Sequence, residues 1–286
     1  MKTILIQFDT DVRPSTFDRV VAVDSGADAL FSYGGTTPEN VTSLVHGAIF
    51  TRGPKDLKHT AIFIGGSHVS AGEALLKQVI KTFFGSMRVS VMIDSNGSNT
   101  TAAAAVLAAQ RHFSLAGLSA LVLGGTGPVG HRVAQILASQ GAIVRVASRT
   151  LDRAEQTAVA IRAAVPEAQI VAVATGSETE LRAAAGGVSL IVAAGAAGVE
   201  LLSENKWRSL TGLSVLIDLN AVPPLGLGGV QLIDKGVERH GVVCYGALGV
   251  GGMKMKIHKA AISQLFESND QVLDTAAIYA IAANLG

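Results

Sequence analysis

The chain has 286 residues, and its 23 basic side chains balance 22 acidic ones to a net charge of +1, so no charge excess recruits nucleic acid or a charged membrane surface. Its one cysteine, Cys244, excludes an intrachain disulfide framework and a cysteine metal cluster, and its seven histidines show no ligand spacing. Apolar residues at 49% supply a sizeable core, and 32 glycines suit an α/β enzyme of one large domain or two, with many tight strand-to-helix turns.

Residues 1–9 read as a first β-strand, not as the apolar stretch of a leader peptide. The apolar runs near 102–109 and 188–199 are too short, or too rich in Gly and Ala, to span a bilayer, so a soluble, cytoplasmic protein is expected. Pro14 opens a helix, and residues 20–24 fit a short strand or an apolar helical segment. Residues 33–38 make a turn in which Thr37 is placed to cap a helix over 38–46. Residues 61–66 are a buried strand ending in glycines, and Ala74, Leu75, Val79 and Phe83 fall at helical spacing in a helix over 70–84. A strand over 89–94 runs into a polar loop, 95–101, and then an alanine-rich helix from 102 to about 113. Residues 1–115 therefore form an α/β domain of their own.

The second domain, 116–250, reads as a Rossmann-type doubly wound parallel sheet. Its centre is the stretch 120–130, ALVLGGTGPVG, where a short apolar run meets a glycine turn and a helix pattern follows at once. Gly125, Gly127 and Gly130 fit the G-x-G-x-x-G spacing, with Thr126, Pro128 and Val129 between them. The first glycine permits the tight turn, the second lets a pyrophosphate approach bare backbone, and the third lets the helix pack on the strand. The helix N-terminus offers free N–H groups to the phosphates. The strand over 143–147 ends in Ser148, Arg149 and Thr150, where an NAD site usually carries Asp or Glu, about 20 residues past the glycines. A guanidinium and two hydroxyls suit a 2′-phosphate, so the cofactor expected is NADP. The plainer reading makes Arg149 a solvated strand-end residue and Thr150 a helix cap.

Further strands over 169–174, 190–195 and 215–220 place Ala194, Gly195 and Asn220 at exits that should line one crevice on the nicotinamide side. Residues 245–252 read as a glycine-rich bend, followed by helices over 259–267 and 275–283; the segment 251–286 is expected to pack back on the first domain. The polar loop gives Asp94, Asn99 and Thr100 as substrate-binding candidates, and a cleft between the domains would bring a substrate to the cofactor. Lys254 and His258, four residues apart, share a helix face and either orient a substrate or belong to a solvated basic face with a packed histidine. Phe17 is either a core anchor or an aromatic platform, and Thr100 and Thr101 either contact substrate or cap the alanine-rich helix.

Several stretches carry a more specific likeness: Gln7 to Asp11, Phe50 to Gly53, Thr60 to Gly66, Asp94 to Ala104, the glycine turn, Pro223 to Gly226, and Gly246 to Gly249 through Lys254 and His258 to Ser268. On these the chain resembles the NADP-dependent methylene-tetrahydromethanopterin dehydrogenases of methylotrophic bacteria, which also accept methylene-tetrahydrofolate. The resemblance covers nearly the whole chain. It implies a pterin cleft between two domains and a homo-oligomer, a trimer or a multiple of one. It implies hydride transfer from the methylene carbon to NADP, with Phe17, Thr101, Lys254 and His258 lining the pterin site. Related folate enzymes that also hydrolyse the methenyl product carry a Tyr-x-x-x-Lys pair. Tyr33 is followed at that offset by Thr37, and neither Tyr245 nor Tyr279 has a lysine there, so no cyclohydrolase activity is expected. Competing readings are a folate-dedicated dehydrogenase, a non-catalytic NADP-binding module, and a shikimate-type alcohol dehydrogenase, which would want a Lys/Asp pair that cannot be placed.

Overall fold

The computed structural model describes all 286 residues. In chain order, β1 (Ile4–Asp9), α1 (Thr16–Asp24), β2 (Ala29–Tyr33), α2 (Thr42–Ile49), β3 (Thr60–Gly65), α3 (Val69–Thr82), β4 (Ser90–Ile93) and α4 (Ser98–Gln110) come first. Next are β5 (Ser119–Leu123), α5 (Pro128–Ser139), β6 (Ile143–Ser148), α6 (Leu151–Ala164), β7 (Gln169–Ala174), α7 (Glu178–Ala185), β8 (Leu190–Ala193), α8 (Glu204–Trp207), β9 (Val215–Asp218), β10 (Lys235–Arg239), β11 (Val242–Tyr245) and α9 (Ala247–Gln264). The chain ends in β12 (Val272–Leu273) and α10 (Thr275–Ala283). It forms two compact units, Met1–Thr100 with Met255–Gly286, and Thr101–Lys254, and passes between them inside α4 and inside α9. No helix is long and apolar enough to cross a membrane.

The first unit holds a five-stranded sheet in the order β12-β4-β3-β1-β2, parallel throughout. Its middle strands are continuous apolar runs, Ala61 to Ile64 and Val91 to Ile93, because a parallel sheet covered on both faces leaves no polar side. Val41, Val45 and Ile49 around α2, and Leu75 and Val79 of α3, pack on Phe8, Ile62 and Ile64.

Residues 20–24 take the helical of their two readings, as the second half of α1, and the strand of this region is β2, whose residues lie half open at the sheet edge. Two other local readings are corrected by the structure. The helix expected from Pro38 starts at Thr42: the Thr37 N–H donates to Asn40 Oδ1 at 2.8 Å, closing a turn, so Thr37 is no cap. The polar stretch 98–101 is the first turn of α4, after a 3-10 turn at Ser95–Gly97. Serines, Asn and Thr look like a loop, but the carboxylate of Asp94 caps them and starts the helix early.

The second unit holds a seven-stranded sheet, β10-β11-β9-β8-β5-β6-β7, parallel except for the β10–β11 hairpin. Its parallel strands run in the 3-2-1-4-5-6 order of the doubly wound nucleotide folds, with the switch point between β5 and β8. The core joins Leu121, Leu123, Ile191, Leu216 and Trp207. Of the glycine-rich segment 246–252, Gly246 leads into α9 and residues 247–252 are its first turns rather than a bend. A Cβ at Gly246 would strike the carbonyls of Gln231 and Leu232, and one at Gly249 that of Asp234, so glycine here serves close packing of a helix on backbone.

Candidate functional site

The turn after β5 is built by four glycines. Gly124, at φ +68°, makes the left-handed step that the spacing assigned to Gly125. A Cβ on Gly124 would lie 2.6 Å from the N and Cα of Gly195, so the β5 and β8 exits meet backbone to backbone at the switch point. Gly125 donates its N–H to the Ala147 carbonyl at 3.0 Å and so ties the turn to β6. A Cβ on Gly130 would strike the Gly124 carbonyl, so α5 rests directly on the turn. Gly127 is the N-cap of α5 with Pro128 behind it, and no side chain caps that end. First-turn N–H groups thus stay available to an anion.

At the end of β6, Ser148 is buried and its carbonyl accepts the Thr175 N–H at 2.8 Å, while Arg149 and Thr150 are exposed. Thr150 occupies the N-cap position of α6, yet its hydroxyl makes no capping bond, so the cap reading is not the one the geometry takes. No carboxylate stands among these three residues. On the other side of the switch point, Asp218 ends β9 with no exposure, in register with Ala193 of β8. Its Oδ1 accepts the Asn220 N–H at 2.9 Å and its Oδ2 the Leu227 N–H at 2.7 Å. Burial pushes its carboxyl above the usual range, against the pull of the Asn220, Leu227 and Gly226 N–H groups. Neither Gly124 nor Asp218 was singled out from the sequence; the signal for Asp218 was a carboxylate closing an apolar strand.

In the first unit, Asp94, Asn99 and Thr100 are all buried. Asp94 Oδ1 accepts the N–H of Asn99 (2.9 Å) and of Thr100 (3.1 Å), and Oδ2 accepts the Thr100 hydroxyl at 2.6 Å. The Asn99 amide donates to the Ile93 carbonyl at 2.7 Å and accepts from the Thr275 hydroxyl at 2.8 Å. These side chains build the β4–α4 junction. Asp9 does the same at the β1 exit, accepting the N–H of Asp11 (2.9 Å) and of Ser15 (3.0 Å), and so sets the start of α1, which carries Phe17. His258 of α9 is fully buried and stacked on Phe63 at 5.7 Å, with the ring of Phe17 6.3 Å away. Phe17 itself is 52% exposed, so it is not a core anchor. Lys254, one turn before His258 on α9, and Thr101 on α4 are partly buried. No group of three or more His, Cys, Asp or Glu side chains could hold a metal ion.

Strand order, glycine turn and open helix end define the Rossmann-type dinucleotide-binding class. Shikimate 5-dehydrogenase from Listeria monocytogenes, solved with shikimate and NAD, shares the fold with a TM-score of 0.59 at 13% identity, over 100% of this chain and 96% of that one. A model of the family described as methylene-tetrahydromethanopterin dehydrogenase, N-terminal, matches residues 16–96. A bifunctional protein, MdtA, of Methylorubrum extorquens is 45% identical over 286 residues, 99% of each chain. An NAD(P)-dependent methylenetetrahydromethanopterin dehydrogenase of the same organism is 31% identical, over 95% of this chain and 94% of that one. The chain belongs to the methylene-tetrahydromethanopterin dehydrogenase family.

Proposed function

We propose that this protein is an NADP-dependent oxidoreductase that removes a hydride from methylene-tetrahydromethanopterin, and also from methylene-tetrahydrofolate, to give the methenyl cation. The observation that carries this reading is the 31% identity, over 95% of the chain, to a relative named for that reaction. The residues present fit the dinucleotide. Backbone at Gly124, Gly127 and Gly130 forms a cradle without side chains, and the buried Asn220 Nδ2 meets no acceptor in the protein. Gly125 to Gly130 with Thr126, Pro128 and Val129 would hold the pyrophosphate, Ser148, Arg149 and Thr150 the 2′-phosphate, and Ala194, Gly195 and Asn220 the nicotinamide half. When bound, NADP supplies the hydride acceptor.

The remaining work of the chain is binding and orientation. The two nitrogens flanking the methylene carbon share the positive charge left behind, so no general base is required. Phe17 offers an exposed aromatic face to the pterin, and His258, stacked on Phe63, keeps that face in place. Lys254 and Thr101 supply polar contacts that orient the carrier. Asp94, Asn99 and Thr100 act by fixing the start of α4, the helix that carries Thr101. A positive Lys254 opposes the cationic product, so its role is orientation and product release, not charge stabilisation. The enzyme is read as cytoplasmic and homo-oligomeric, a trimer or a multiple of one. In support of assembly, Val20 and Val23 of α1 and Phe31 and Tyr33 of the edge strand β2 lie exposed.

The test is a spectrophotometric assay with each methylene carrier, each paired with NADP and with NAD. Methenyl and NADPH absorbance rising together with the methanopterin carrier is the expected result. Activity with the folate carrier alone would make the protein a folate-dedicated dehydrogenase, and tight NADP binding without hydride transfer would make it a binding module. Lacking a Tyr-x-x-x-Lys pair, the enzyme should leave the methenyl product to decay at the buffer rate.

A further inference from the structure

We propose that Asp218 is a positioning residue, which fixes the loop after β9 so that the Asn220 side-chain amide donates a hydrogen bond to an acceptor oxygen on the nicotinamide half of the dinucleotide. This rests on the dinucleotide reading above and extends it to a residue that makes no contact of its own with the cofactor. Both oxygens of Asp218 are taken by backbone donors at opposite ends of one loop, Asn220 N–H at 2.9 Å and Leu227 N–H at 2.7 Å. A fully buried carboxylate engaged in this way holds a loop; it is not available as a base. The loop is pinned from its other side as well, where the Gly226 carbonyl accepts the N–H of Leu201 at 2.8 Å.

The held loop aims one group. A Cβ on Gly226 would come within 2.6 Å of Asn220 Nδ2 and 2.9 Å of Asp218 Oδ1, so glycine is needed to let the amide sit against the carboxylate's loop. Asn220 is 6% exposed, and its Nδ2 finds no acceptor in the protein. Buried amide donors almost always have a partner, so an acceptor from a bound molecule completes this one. Position selects which half of the dinucleotide supplies it. The Leu219 N–H donates to the Ala193 carbonyl at 2.9 Å, joining the β9 exit to the β8 exit, whose Gly195 abuts Gly124 of the phosphate turn. Adenosine lies toward β6, on the other side of that turn, so the nicotinamide ribose and carboxamide lie toward β8 and β9. An NH2 group can only donate, so its partner is a carboxamide or hydroxyl oxygen.

The test compares binding of whole and half ligand by calorimetry, using NADP and adenosine 2′,5′-bisphosphate, which lacks the nicotinamide half. Asn220→Ala should weaken NADP about tenfold, the worth of one neutral hydrogen bond in a water-excluded site, and leave the bisphosphate within about twofold of wild type. Asp218→Asn, which turns an NH2 toward one of the two backbone donors, should show the same selective loss without touching the ligand. Gly226→Ala pushes the Asn220 amide aside and gives a second route should Asp218→Asn fail to fold; bisphosphate binding reports the fold in each variant. Unchanged NADP affinity in Asn220→Ala, or equal losses for both ligands, would overturn the assignment alone. A wild-type protein that binds neither ligand would overturn the dinucleotide reading with it.

Discussion

Arg149 leaves the end of β6 exposed, with no carboxylate beside it in 148–150 and a neighbouring hydroxyl, Thr150, that makes no cap bond. A charge-assisted bond to a 2′-phosphate is the interaction this arrangement can offer, and one such bond is worth about 1.5–3 kcal/mol. Arg149→Ala should therefore lower the preference for NADP over NAD about 10- to 100-fold, through KM for NADP and not through turnover with saturating NAD. Preference unchanged in steady-state kinetics would remove Arg149 from the site. Lys254→Ala should raise the KM for the pterin carrier or slow turnover while leaving the Kd for NADP alone; unaltered pterin kinetics would sink its role. The glycine spacing was legible at 125, 127 and 130, but the left-handed step belongs to Gly124. A pattern of letters cannot tell which of two adjacent glycines takes a positive φ; the contact with Gly195 decides it.

At the scale of elements, Asp94, just outside α4, holds the backbone of its first turn. Asp94 accepts two backbone N–H groups and a hydroxyl from the first turn, in a buried setting. Asp94→Ala should cost about 2 kcal/mol in urea unfolding, the upper end for a lost N-cap, with the m-value unchanged. A loss within about 0.5 kcal/mol, the range of an ordinary surface substitution, would show that the junction stands without it. This junction also explains where the sequence was hard to read. Ser98 to Thr101 are weak helix formers, so local propensity spoke for a loop, and only the carboxylate at the end of the preceding strand reverses it. The hairpin β10–β11 was hidden because β10 is mostly exposed and broken by Gly236, without the alternation of a half-buried strand. The apolar strands β3, β5, β8 and β9 were legible because burial on both faces leaves them uninterrupted.

For the whole molecule, the one thiol reports on the integrity of the second unit. Burial first, then the nearby Asp234 carboxylate, pushes Cys244 from 9.0 up to about 12. The fold thus holds the protonated thiol, and this contribution is complete below the unfolded value near 9.0 and is lost as pH rises toward 12. Thermal stability should fall above about pH 9 less steeply in Cys244→Ala than in wild type, and a thiol reagent at pH 8 should label Cys244 only after unfolding. Rapid labelling of native protein would contradict the buried placement. Sedimentation should show a trimer or a multiple of one; a monomer at micromolar concentration would leave the exposed valines of α1 without the role given to them.

Direct passage of a hydride from the carrier's methylene carbon to the dinucleotide can be followed with methylene-tetrahydromethanopterin carrying two deuterons on that carbon, NADP in ordinary water, and mass spectrometry of the reduced nucleotide. One deuteron in each reduced nucleotide formed, and one retained in the methenyl product, is the expected result. Reduced nucleotide carrying solvent hydrogen, or none formed at all, would rule direct transfer out.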